Sequence, residues 1–245
     1  MAGDPNTERV VRRVVRIGCC VCAAACATAS AQTVFRVAEG DWHTGSNWST
    51  GSVPETGATV VVGGAAPADK HARVWQPVAE VPGIVRIGNN ANGGLLELQQ
   101  GGTLRLSTLQ MATGPVQARG YLEVTGGSLK VDYTGSMAAS NPGAFARIRV
   151  SAGRLDWGYS LVVSMPGSEA ELVVSGTGPE AVFGEGITLA EGARLVFELD
   201  ASGVTPLEAS GYFNNHDGAR LTVERGDFAW GEDAEVLLVG AATVL

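Results

Sequence analysis

Apolar and polar residues alternate along this chain in short bursts, and the bursts recur at a nearly constant distance. Leu96-Glu97-Leu98, Leu122-Glu123-Val124, Ile148-Arg149-Val150, Leu172-Val173-Val174, Leu195-Val196-Phe197 and Leu221-Thr222-Val223 follow one another at 26, 26, 24, 23 and 26 residues. A period of two sends successive side chains to opposite faces of a strand, so each burst predicts a short strand with one buried face. A helix, with its period of 3.6, cannot use the pattern.

The order of features inside each unit also repeats. Leu95-Leu96-Glu97-Leu98 leads through Gly101-Gly102 to Leu104-Arg105-Leu106, and Tyr121-Leu122-Glu123-Val124 leads through Gly126-Gly127 to Leu129-Lys130-Val131. Ile148-Arg149-Val150 continues through Ala152-Gly153 to Leu155-Asp156-Trp157. The glycines are expected to supply the positive φ of a sharp corner. Repeated turn chemistry at constant spacing points to coils stacked one above the next, each touching only its neighbours. The expected fold is therefore all-β: a right-handed parallel β-helix, or β-solenoid, with coils of 23–26 residues. An antiparallel β-sandwich is the alternative, but it has no reason to repeat its turns.

Residues 84–245 are expected to carry the repeats, with 32–83 as an N-terminal cap and the first strands. That cap segment holds a dense aromatic cluster, Phe35, Trp42, Trp48 and, later, Trp75. Near the other end, Ala234 to Val239 reads as a strand, and the apolar run into Leu245 reads as a truncated repeat array.

Residues 1–31 differ in character. Arg9, Arg12, Arg13 and Arg16 precede an uncharged stretch from Ile17 to Ala29, which ends in Ala29-Ser30-Ala31. This is the pattern of a secretory signal peptide cleaved after Ala31, and it predicts a chain exported to the periplasm, cell surface or medium. Arg12-Arg13 leaves a twin-arginine signal open, and Ala23-Ala24-Ala25-Cys26 a lipoprotein anchor. Cys19, Cys20, Cys22 and Cys26 all lie in this leader, so the remainder has neither disulfide nor cysteine nucleophile.

The 245 residues are 45% apolar and 17% charged, enough for a sizeable core without staples, and the 34 glycines fit a chain of many turns. Removing the leader takes four of 17 basic and two of 25 acidic residues, leaving a net charge of −10. The surviving Lys and Arg are scattered singly, which argues against nucleic acid as a partner.

Chemistry is sparse. Glu97 and Glu123 occupy equivalent positions in adjacent repeats and would stack as a carboxylate pair, the one arrangement that suits general acid–base work on a polysaccharide. Exposed strand positions favour charged residues on any account. His43, His71 and His216 lack metal-ligand spacing. Asn214, Asn215 and Asp217 could hold a cation, but such residues beside Gly218 are turn formers first. No serine-nucleophile elbow, phosphate-binding loop or nucleotide fingerprint appears, and no cofactor is expected. Asn47-Trp48-Ser49 also matches the glycosylation sequon, a pattern common by chance.

From Gly40 the chain reads GDWHTGSNWSTGSVPETGATVVVGG, in which Trp42, Asn47, Trp48, Ser49, Gly51, Pro54 and Gly57 lead into the strand from Thr59. This motif resembles the opening of bacterial secreted β-helix proteins, similar to autotransporter passengers and surface proteins with a PEP-CTERM sorting tail. The GG-linked phrases at 95–131 resemble their repeats. The resemblance implies a surface location and an extracellular polysaccharide or cell surface as partner, not a reaction. Neither a sorting tail nor a barrel is recognisable, which leaves the anchoring open. Trp42 and Trp48 can serve as the lid of a hydrophobic column, with Asn47, Pro54 and Gly57 shaping the turn, or as a sugar-stacking platform.

Overall fold

A computed structural model of the chain describes residues 32–64, 69–89, 93–114, 117–137, 142–228 and 235–244. The predicted leader, with its four cysteines, lies outside them. The described residues form an all-β solenoid of about seven turns, with one three-residue 3-10 turn at Gly45–Asn47. Every strand-to-strand pairing is parallel, so the sandwich alternative falls.

The strands fall into three ladders. The first stacks Thr33–Val34, Thr59–Val62, Ile84–Ile87, Thr108–Met111, Gly135–Met137, Ser160–Val163, Gly186–Leu189 and the end of Leu207–Asn215. The second stacks Glu39–Asp41, Lys70–Val74, Gly94–Leu98, the first half of Arg119–Val131, the first half of Phe145–Trp157, Glu169–Ser175, Ala193–Glu198 and Arg220–Glu224. The third holds Thr103–Leu106, the second halves of those two long strands, Pro179–Phe183, and the starts of Leu207–Asn215 and Val239–Val244.

Register explains the repeat. Leu96, Leu122, Ile148, Leu172, Leu195 and Leu221 are successive partners in the second ladder. The first five are fully buried, and each such side chain contributes about 1.5–3 kcal/mol of transfer free energy. Leu221, paired on one side only among the described residues, is 52% exposed.

Several details differ from the sequence expectation. The ladders begin at Thr33, so 32–83 supplies the first two coils as well as the lid. In the fourth and fifth coils the strand, glycine corner and second strand form one bent strand of 13 residues. Gly101 has the expected positive φ of 87°. Gly127 does not need one: a Cβ there would lie 2.6 Å from the Gly102 carbonyl oxygen and 2.7 Å from that of Gln99. The second glycine of the pair is thus required by close approach between coils. Gly135 serves packing in another way, because a Cβ at that position would enter the ring of Trp157 from the third ladder. The last strand is Val239–Val244, residues 235–238 precede it without strand structure, Leu237 is exposed, and Ala234 lies outside the described residues.

Candidate functional site

The N-terminal lid is built from local sequence. Gly45–Asn47 turns the chain so that Trp48 returns beside Phe35 in an isolated antiparallel bridge. Trp48 then stands edge-on to Phe35 and to Trp42, with ring centroids 4.9 and 4.8 Å away, and its Nε1 donates to the Trp42 carbonyl oxygen at 2.7 Å. Asn47 Nδ2 donates to the Asp41 carbonyl at 2.8 Å, and the Val34 N–H donates to Ser49 Oγ at 2.9 Å. Pro54 is buried, and Gly57 takes a φ of 80°. All three rings are fully buried. The sugar platform expected as one use of Trp42 and Trp48 is therefore corrected: neither ring presents a face to solvent. Among the described residues the exposed tryptophan is Trp75, at 49%.

Glu97 and Glu123 are register partners on the outer face of the second ladder, about 4.8 Å apart along the backbone. Each has a cation of its own. His71 Nε2 lies 3.0 Å from Glu97 Oε2, with Arg73 Nε at 3.7 Å, and Arg147 reaches Glu123 at 3.4 Å. The same compensation continues along the face: Arg73 with Glu39, Arg194 with Glu171 at 2.5 Å, and Arg149 across two coils with Glu198 at 2.5 Å. On the third ladder Arg105 pairs with Asp132 and Arg154 with Glu180. General acid–base work needs carboxyl groups free to meet a substrate, and these are engaged with neighbouring side chains.

Two carboxylates are held away from the ordinary value, both downward. For Asp41, desolvation pushes the pKa up. Hydrogen bonds from the backbone and ring of His43 and from the Trp75 indole, with the attraction of His43, outweigh it. For Asp200 the leading cause is the hydrogen bond from the Thr177 N–H, joined by that of Ser202. Both side chains organise turns by accepting these hydrogen bonds.

His43 is tied to Asp41 and the Pro77 carbonyl, His71 to Glu97, and His216 to Asn214 at 3.2 Å. The three histidines therefore sit apart. Among the described residues no three His, Cys, Asp or Glu side chains gather to hold a metal ion. Asn215 and Asp217 are exposed at the turn before the last strand of the second ladder.

The feature that sequence reasoning missed is a shallow trough beside the turns that enter the second ladder. Tyr121 and Phe145 line it, with centroids 5.9 Å apart, and the Arg147 guanidinium lies 5.4 Å from the Tyr121 ring centre. Reading every outward residue at offsets of 23 to 26 would have found the row, because Tyr121 and Arg147 occupy the same position of successive repeats. The stacked carboxylates Glu97 and Glu123 on this ladder both have arginine neighbours. Comparison with protein-family models, with curated proteins and with solved structures finds no match.

Proposed function

We propose that this chain is a non-catalytic, exported structural or adhesin-like β-solenoid segment of a bacterial cell-surface or secreted protein. The observation that carries the reading is the compensated charge on the outer ladders. Glu97 and Glu123, the stacked pair that could act on a polysaccharide, and Glu171 and Glu198 elsewhere on the same face each lie beside an arginine. Such rows stabilise a long face and keep it soluble. Individually these half-exposed pairs contribute about 0–1 kcal/mol, so their value lies in number and in matching one coil to the next. Export rests on the arginine-led apolar leader and the Ala29-Ser30-Ala31 site.

Two measurements test the proposal together. Expressed with its leader in a bacterial host, the chain should be recovered outside the cytoplasm with Gln32 as its first residue. Incubated with a panel of acidic and neutral polysaccharides, the purified protein should release no new chain ends. Cytoplasmic retention with an intact leader would overturn the export reading, and depolymerisation of any polymer would overturn the non-catalytic one.

A further inference from the structure

The two ends of the solenoid are finished differently. At the N-terminal end Phe35, Trp42 and Trp48 close the hydrophobic column and are fully buried. At the other end the second ladder stops at Arg220–Glu224, which pairs with Ala193–Glu198 on one side and with no strand on the other among the described residues. Its inward residues Leu221 and Val223 are 52% and 40% exposed, although their register partners Leu195 and Phe197 are fully buried. The backbone is open on the same side. The Glu224 carbonyl accepts from the Leu199 N–H at 2.9 Å, and successive residues of a strand turn their polar groups to opposite sides. Arg220, Thr222 and Glu224 therefore face the preceding coil, while Leu221 and Val223 aim their N–H and C=O groups away from it. Such an edge is a template for another strand.

The outward charges of the strand select that partner. On the coils before it, acid and base compensate each other, Arg194 with Glu171 and Arg149 with Glu198. Those pairs leave the last strand with like beside like: Arg220 is the register partner of Arg194, and Glu224 of Glu198. Both are exposed, and neither side chain has a partner among the described residues. The order Arg220-Leu221-Thr222-Val223-Glu224 is complementary to its own reverse. Turned about Thr222, a copy of the strand sets Arg220 against Glu224, Leu221 against Val223, and Thr222 against Thr222. The open backbone groups agree with this register, because Leu221 and Val223 then form the hydrogen-bonded pairs. A parallel copy would set Arg220 against Arg220 and Glu224 against Glu224. Of the flanking charges, Arg225 donates to the Phe228 carbonyl, and Asp217 and Asp227 lie in the turns beyond the paired residues.

We infer that this edge pairs with the same edge of a second copy, antiparallel about Thr222, to give a tail-to-tail dimer. Opposite charges directly across an antiparallel pair attract and like charges repel, so the outer face fixes the register while Leu221 and Val223 cover each other on the inner face. The contact is isologous and closes after two copies. Head-to-tail growth lacks a receiving surface, since the buried Trp42 and Trp48 offer no apolar face to Leu221 and Val223. One short strand from each copy makes a small interface, and the dimer is weak and reversible.

Sedimentation equilibrium of the full chain tests the pairing, under reducing conditions so that Cys19, Cys20, Cys22 and Cys26 cannot link copies. Wild type should show a monomer–dimer equilibrium. Glu224→Arg and Arg220→Glu, each alone, put like charges opposite each other at both ends of the paired strands and should weaken the dimer about tenfold. Mixing the two single variants should restore dimers of about wild-type affinity, and the double variant Arg220→Glu/Glu224→Arg should dimerise like wild type. Recovery in the mixture also shows that neither substitution has unfolded the edge. A chain that stays monomeric up to about 1 mM would overturn the inference. So would polymers in place of a dimer, single variants that dimerise like wild type, or a mixture that fails to regain the dimer.

Discussion

Replacing Trp48 with alanine tests how the N-terminal end of the solenoid is closed. The indole is fully buried between Phe35 and Trp42, and burial of about 200 Å² is worth about 5 kcal/mol at 25 cal/mol/Å². Tryptophan-to-alanine changes in cores cost about 3–5 kcal/mol, and the lost Nε1 bond also strands the Trp42 carbonyl. A loss of about 4 kcal/mol is expected, and it should be local, because each coil is stabilised by its immediate neighbours. Amide hydrogen exchange reads both properties at once. Protection across Thr33–Val34 and Thr59–Val62 should fall by about 10²–10³-fold, at 1.4 kcal/mol per tenfold, while Phe145–Trp157 stays within about twofold of wild type. Trp48→Phe, which keeps a ring but not the hydrogen bond, should lie between the two. Unchanged protection in the first coils would refute the lid, and an equal fall throughout the molecule would refute nearest-neighbour stabilisation.

The corner glycines separate two causes. Gly127→Val should cost about 3 kcal/mol because its side chain meets the carbonyls of Gln99 and Gly102, whereas Gly101→Ala, strained chiefly by φ, should cost about 1–2 kcal/mol. Thermal unfolding checks the order, and a milder effect at Gly127 would undo the close-approach explanation. For pH, Asp41 and Asp200 titrate in the folded state below the usual value. Their stabilisation is therefore full above the unfolded pKa of about 3.9 and is lost as pH falls through the lower folded value. Urea unfolding at pH 6 and pH 3 should show this loss shrinking in Asp41→Asn; a loss as large as in wild type would mean the His43 and Trp75 hydrogen bonds do not act as described. Glu123→Gln should change stability by less than about 1 kcal/mol, since Arg147 and Glu123 are both substantially exposed to solvent. A larger loss in denaturant unfolding would show that the ladder pairs hold the coils together.

Much of the fold was legible because inward positions repeat both their residue type and their spacing. The column from Leu96 to Leu221 is one of Leu and Ile throughout, so its register could be read directly from the sequence. The first coils were harder to see, since 63–69 and 75–83 separate short strands by stretches nearly as long as a strand and its turn together. Nothing in the sequence singles out Gly135, because its reason lies in Trp157, 22 positions away and in a different ladder. The candidate site was less legible for a related cause. Outward residues are free to vary, so Arg119, Phe145 and Glu169 mean little until stacking places them side by side. The motif from Gly40 left Trp42 and Trp48 open as lid or sugar platform, and the return of the chain after Gly45–Asn47 shows that they face inward.

Distances along one outer row test the stacked-coil arrangement most directly. His71, Leu95, Tyr121, Arg147, Glu171, Arg194 and Arg220 occupy successive steps of the second ladder. Spin labels placed at 71 and, in turn, at 171, 194 and 220 should give backbone separations of about 19, 24 and 29 Å by pulsed dipolar spectroscopy, about 4.8 Å more for each coil. A regular increase would establish the solenoid and the continuity of the face that carries the trough. Separations that fail to grow with each repeat would contradict it.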